Sequence, residues 1–224
     1  MLIMRFSQDS LALRCLWYTN LPDSRARTAE MVANPKEIIW PYHSLEEYFA
    51  IEGAGHVRYE YWDGQIVCMS GGTQWHYTIG SNAHLILGGQ LIGRNCRAFT
   101  AETPIKTPTL PPYRYPDASV ACGKLVFERI ESVDALVNPS LIIETLSPST
   151  ESRDRGPKRA ACQGLPSLME YLLVAQDAPH VTHYVRQGNE WVRSDYDSLD
   201  LSVALPSIEC TVNLSELYEG VEFP

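Results

Sequence analysis

Apolar and polar positions along the chain fall into alternating strand-like and helix-like segments from about residue 44 onward. Ser44 has the chemistry of an N-cap, and Glu47 three residues later completes a capping box ahead of Tyr48, Phe49 and Ile51. This pattern predicts a short helix to about Glu52. Residues 57–70 alternate around Asp63-Gly64, a dipeptide that favours a tight hairpin. From His76 to Ile92 the residues Ile79, Ala83, Ile86, Leu87 and Leu91 recur at helical spacing, and Gly93 ends the run. Strands are expected over Arg97–Lys106, Arg114–Cys122 and Ser140–Leu146. The last is nearly continuous in apolar, β-branched residues, as a strand covered on both faces tends to be.

After the break at Ser147-Pro148-Ser149-Thr150 a helix is expected to run to about Gln163. Pro157 belongs in a first turn, which places the N-cap near Asp154. Met169–Ala175, Val181–Arg186, Glu190–Tyr196 and a strand near Ser207–Val212 complete an antiparallel tail. Residues 1–38 carry little periodic pattern and are expected to be an extension, leaving 39–224 as one domain. The expected architecture is α/β: a mixed sheet of about five strands flanked by the helices at 76–92 and 154–163, with a C-terminal antiparallel extension.

Composition narrows this picture. With 45% hydrophobic and 20% charged residues the chain can bury a sizeable core. Its formal charge of −9 opposes diffuse attraction to polyphosphate, so a nucleic-acid partner would have to be held locally. Arg153, Arg155, Lys158 and Arg159 could supply one positive edge, although such a run is more often a solvated helix face. The six cysteines show no C-x-x-C pair or zinc-knuckle spacing and are expected to be reduced thiols of a cytoplasmic protein. Arg5, Gln8, Asp9 and Ser10 interrupt the N-terminal apolar residues, so neither a secretory leader nor a membrane span is expected. No G-x-S-x-G, Walker or G-x-G-x-x-G motif is present.

The candidate chemistry lies in two carboxylates, Asp117 at the head of one strand and Glu144 within the apolar one. A lone Glu in such a strand is costly to bury unless paired or bound to a cation. Two carboxylates meeting at a strand mouth make a hard oxygen site that suits Mg²⁺. Asp117 taken alone reads more readily as an N-terminal strand carboxylate satisfied by a turn, and its pairing with Glu144 reverses that preference.

The segments Tyr59 through Gly64, His76 opening a helix, Tyr115-Pro116-Asp117, Pro139 through Glu144 with Ser147-Pro148-Ser149-Thr150, Asp154-Arg155-Gly156 with Lys158, Leu165-Pro166-Ser167-Leu168 with Glu170-Tyr171, and Tyr218 through Val221 occur in an order that resembles the Uma-type restriction-endonuclease family of the PD-(D/E)XK superfamily. The resemblance covers roughly residues 40–224. It implies a restriction-endonuclease-like fold and metal-dependent hydrolysis of phosphodiester bonds, most readily in DNA. Asp117 and Glu144 would then bind Mg²⁺ or Mn²⁺, Lys158 would stabilise developing charge, and Glu60 and His76 would position water or phosphate. It also implies a homodimer, since cutting both strands of a duplex is often done with twofold symmetry.

Departures from the pattern are specific. The superfamily's lysine sits two residues after the Glu, where this chain has Leu146, and Lys158 stands where a displaced lysine is expected. Around it Pro157, Arg159 and Cys162 replace the usual Glu, aromatic and Tyr. These departures keep open a nuclease-like fold retained as a non-catalytic binding module. Simpler readings also stand beside the sharp ones: an exposed i,i+4 ion pair for Lys158 with Asp154, worth about 0.3–0.5 kcal/mol, an exposed cross-strand pair for Glu60 with Arg58, and a polar N-terminal helix residue for His76.

Overall fold

The computed structural model describes residues 42–54, 57–69 and 72–223, so the expected extension over 1–38 lies outside the described residues. The described residues divide into two compact units, one up to residue 69 and the other from residue 72 onward.

In the first unit, helix α1 (Leu45–Ala54) begins at the predicted capping box. Ser44 N donates to Glu47 Oε2 at 2.8 Å and Glu47 N to Ser44 Oγ at 3.2 Å, so two otherwise orphaned donors are satisfied reciprocally. Strands β1 (Tyr59–Trp62) and β2 (Gln65–Cys68) pair antiparallel about Asp63-Gly64, both at positive φ. Gly64 is required twice over, because a Cβ there would also lie 2.1 Å from the Tyr42 ring. Buried Tyr48 donates its hydroxyl to Tyr59 O at 2.9 Å, tying α1 to the hairpin.

The second unit opens with helix α2 (Gln74–Gln90), then β3 (Cys96–Thr100), β4 (Ile105–Lys106), β5 (Tyr113–Arg114), β6 (Ala118–Cys122), β7 (Phe127–Ile130), β8 (Val133–Leu136) and β9 (Leu141–Thr145). A helical crossover follows: α3 (Glu151–Arg153), a π-type turn over Asp154–Lys158, and α4 (Arg159–Gln163). It ends with β10 (Glu170–Val174), β11 (Val181–Gln187), β12 (Glu190–Tyr196), β13 (Ser202–Leu205), β14 (Cys210–Asn213) and α5 (Leu214–Leu217).

Six strands form the main sheet in the order β12-β11-β10-β9-β6-β3. Within it β9 and β10 run parallel and every other neighbouring pair is antiparallel. A parallel pair needs a crossover, and the helices between β9 and β10 provide it.

Residues of β9 alternate between two cores. Leu141 and Ile143 pack with Ile79, Ala83 and Leu87 of α2, while Ile142 and Leu146 pack with Cys162, Leu165 and Leu168 from the crossover. All five residues of β9 are therefore buried, which explains its unbroken apolar character.

Several boundaries differ from expectation for physical reasons. The run 97–106 divides at the Thr100–Thr103 turn, after which the chain leaves the main sheet for a smaller one ordered β5-β4-β8-β7. Strands β7 and β8 carry no sequence signal because β7 is largely exposed and does not alternate. The crossover helix starts at Glu151, one turn before the predicted cap, and Asp154 lies inside it. Pro157 is accommodated because Gly156 departs from helical geometry (φ −107°, ψ −108°), making a kink where a regular helix could not take a proline.

The expectation of six reduced cysteines is corrected. Cys96 and Cys122 stand directly opposite in the β3–β6 register and form a disulfide, and Cys68 is also disulfide-bonded. Cross-strand pairing, invisible in a separation of 26 residues, brings Cys96 and Cys122 together. Cys162 and Cys210 are free and buried. Among the described residues no helix is long and apolar enough to cross a membrane.

Because Ile143 is 2% exposed between α2 and the central sheet, Ile143→Ala is expected to cost about 2–5 kcal/mol in urea unfolding. Val192→Ala, at a 42% exposed residue, is expected to stay within about 0.5 kcal/mol; equal costs would show that β9 is not the core strand.

Candidate active site

Strand register assembles the first part of the site. Ala118 pairs with Ile143, Ser119 with Ile142 and Val120 with Leu141, so one further step along the two strands sets Asp117 opposite Glu144. Asp117 Oδ2 accepts from Thr145 N at 2.6 Å, which anchors the carboxylate to the end of β9. The other oxygen, Oδ1, lies 3.2 Å from His76 Nε2. His76 sits in the first turn of α2, where Thr73 is the N-cap and its Oγ1 accepts from His76 N at 3.2 Å. Asp117 and His76 side chains are 22% and 20% exposed, so they form the solvent-facing mouth.

Behind them is a closed cluster. Lys158 Nζ donates to Glu144 Oε2 at 2.9 Å and to Tyr115 O at 2.8 Å, and lies 3.6 Å from Asp154 Oδ1. Lys158 and Glu144 side chains are only 4% and 2% exposed, and Asp154 is buried beside them. The π-type turn places Asp154 and Lys158 inward together, although neither charge would be tolerated there alone. Tyr171 Oη lies 3.5 Å from the second Glu144 oxygen.

Among the described residues, charge in this cluster is weighted toward acid: Asp117, Glu144 and Asp154 gather around the Lys158 ammonium and the His76 imidazole. Burial pushes the Glu144 carboxyl well above the usual range; Lys158 opposes the shift, while Asp154 and Asp117 add to it. Burial also raises Asp117, but the His76 hydrogen bond and charge, Lys158 and the Thr145 N–H outweigh it and hold the group below its ordinary value. For His76 burial lowers the pKa, and the hydrogen bond and charge of Asp117, with Asp154, carry it above its ordinary value.

The donor set fits a hard divalent cation. Its carboxylate oxygens are the ligand type that Mg²⁺ and Mn²⁺ take, and the surplus negative charge is the kind a cation relieves. Among the described residues no three His, Cys, Asp or Glu side chains form a ready-made cage. A site of one or two protein carboxylates, completed by water and phosphate, is nevertheless what Mg²⁺ commonly accepts.

Of the residues singled out in the sequence, the structure brings Asp117, Glu144, Lys158 and His76 to one end of the main sheet. Glu60 belongs to the first unit, where it is buried and accepts from Trp62 Nε1 at 2.9 Å, so it is not the exposed strand residue its spacing allowed. The helix arginines do not form a free basic edge together with Lys158. Arg155 pairs with Glu151 at 2.6 Å and Arg159 stacks on Tyr184 at 4.5 Å from the ring centre. Asp154 was missed as a site residue; its i,i+4 spacing to Lys158 was the available signal, read as an exposed pair.

The sequence profile of the Uma2 family, described as "Putative restriction endonuclease", matches residues 45–213. Two uncharacterised proteins of Synechocystis sp. are similar: slr1290 is 30% identical over 86% of this chain and all of its own length, and sll1609 is 29% identical over 66% of this chain and 84% of its own. A crystal structure of a "putative nuclease belonging to DUF820" from Anabaena variabilis superposes with a TM-score of 0.60 at 21% identity, covering 73% of this chain and 91% of that one. The chain has the restriction-endonuclease-like fold.

The opposed shifts of Asp117 and His76 set a pH window. Asp117, held low, stabilises the fold above its unfolded pKa of about 3.9 and loses this as pH falls through its lowered folded value. His76, held high, stabilises fully below about 6.5 and loses this as pH rises through its raised folded value. In EDTA, the difference in Tm between wild type and Asp117→Asn is expected to be largest near pH 5–6 and to shrink on either side. A difference that does not vary with pH would show that the pair is not coupled.

Proposed function

Because the chain belongs to the Uma2 restriction-endonuclease family, we propose that it is a metal-dependent endonuclease that hydrolyses phosphodiester bonds, with DNA as substrate. The observation that carries this reading is the gathering of acid among the described residues at the sheet end, where Asp117 stands opposite Glu144 and the Lys158 ammonium is buried against Glu144 and Asp154.

Asp117 and Glu144 would hold Mg²⁺ or Mn²⁺. When bound, such an ion supplies Lewis acidity and a water of lowered pKa. His76 orients Asp117 through Oδ1 while the Thr145 N–H fixes Oδ2, so the carboxylate is set before substrate arrives. Lys158 directs one oxygen of Glu144 and supplies positive charge close to where the phosphoryl oxygens become more negative. Asp154, 3.6 Å from the ammonium, helps aim it by charge. A phosphodiester at the mouth would meet Asp117 and His76 first, with Glu144 and Lys158 shielded from water behind them.

A second reading has its own support: the acidic net charge and the engaged helix arginines suit a non-catalytic module of the same fold. Calorimetry with Mn²⁺ followed by plasmid nicking separates the two. The enzyme reading expects a specific metal heat and nicking in wild type. It further expects Asp117→Ala to lose the heat and at least about 100-fold of the rate, and Lys158→Ala to lose about 10²–10³-fold. Absence of metal heat and of nicking in the wild-type protein would leave the module. Cleavage of both strands would further be served by a homodimer, for which light scattering should give twice the chain mass of 25.2 kDa; a monomer at micromolar concentration would exclude it.

A further inference from the structure

The loops that follow the parallel strands β9 and β10 enclose a second feature, a cleft of about 250 Å³. Its walls include apolar Leu146, Pro148 and Ala178, and its polar groups include Arg155, Gln176 and Asp177. Drug-sized ligands occupy pockets of about 300–1,000 Å³, so this one suits a single planar ring system.

Arg155 and Glu151, both in the lining, pair with each other at 2.6 Å, while Gln176 and Asp177 turn donor and acceptor groups to the cleft. Gln176 is 7% exposed, and its amide oxygen accepts from the Thr73 hydroxyl. Its NH₂ has no partner among the described residues and is left for the cleft. Arg155 gives Nε to Glu151, and among the described residues both terminal amines of the guanidinium fork make no hydrogen bond. The exposed Asp177 carboxylate makes no hydrogen bond or ion pair among the described residues. Donors, an acceptor and apolar lining are what a nucleobase requires for its edge and its faces.

The cleft is also wired to the catalytic cluster. Thr73 bonds Gln176 through its hydroxyl and accepts from His76 N, and His76 holds Asp117. Leu146, which lines the cleft, follows Thr145, whose N–H anchors Asp117.

We propose that this cleft is a base-recognition pocket that receives a nucleobase next to the scissile phosphate, with Gln176 donating to a base acceptor, Asp177 accepting from an exocyclic amine and Arg155 gripping the adjoining phosphate. The proposal rests on the nuclease reading for its substrate, but the pocket can be tested apart from cleavage. The full chain labelled with ¹⁵N is titrated with the four deoxynucleoside 5′-monophosphates, the matching nucleosides and inorganic phosphate, following the Gln176 side-chain amide. Nucleotides and nucleosides of at least one base are expected to move that resonance in wild type and in Asp117→Asn. Arg155→Ala is expected to weaken nucleotide but not nucleoside, by roughly five- to tenfold, the worth of one or two hydrogen bonds. On randomised duplexes, Gln176→Ala is expected to flatten the base preference beside the cut.

If phosphate alone reproduces the shifts, or no nucleotide moves the resonance, or an actively cutting Gln176→Ala keeps the wild-type preference, the pocket assignment is overturned. If nucleosides bind there and wild type cuts no DNA, the nuclease reading falls while the pocket stands.

Discussion

A single buried ammonium organises this end of the molecule. Lys158 cannot be withdrawn from water unless its charge is met at close range, and Glu144, Asp154 and the Tyr115 carbonyl meet it from a strand, a helical turn and a loop. The converse also holds, since Glu144 on a fully buried strand has no other cation within bonding distance among the contacts described. Removing one member of such a pair leaves the other uncompensated, typically at about 3–5 kcal/mol. Asp154 and Lys158, four residues apart, share one face of the crossover as they would in a regular helix. The kink at Gly156 and the wider turn let the crossover carry Pro157 while that shared face stays turned toward the strand.

Much of the frame was legible because local chemistry decides it. The Ser44 capping box, the Asp63-Gly64 turn, the face of Ile79, Ala83 and Leu87, and the unbroken β9 each follow from short-range patterns, and all appear as expected. Glu144 was legible as an anomaly, a carboxylate in an apolar strand. Asp154 was not, since i,i+4 spacing is the same on an exposed face and on a buried one; only the tertiary position of the turn tells them apart. The Cys96–Cys122 disulfide and the β7–β8 hairpin were hidden for related reasons. The first depends on cross-strand register; in the second, β7 is largely exposed and only the end of β8, at Ala135 and Leu136, enters the core, so neither strand alternates.

Glu60 shows the same limit from the other side. Its sequence neighbours allowed an exposed pairing with Arg58, yet it is buried and bonded to the Trp62 indole. A period of two tells which face a residue shares, not which face the core takes.

Placement of the candidate chemistry follows from the one parallel pairing in the sheet. In antiparallel neighbours, successive loops leave from opposite ends, so no two consecutive connections can cooperate. Because β9 and β10 run together, the chain segments after Thr145 and after Val174 emerge side by side, as Leu146 N bonding Val174 O shows directly. The antiparallel β6 then delivers Asp117 to that same end by beginning where β9 finishes. Loops at such an end can change sequence without disturbing the sheet beneath, which is why they commonly carry ligand sites. For a chain of net charge −9 this concentration matters, because long-range attraction to a polyanion is unavailable and the affinity must come from short-range groups gathered at one place. A sheet end that collects two loops, a helix start and a strand start satisfies that requirement with few residues.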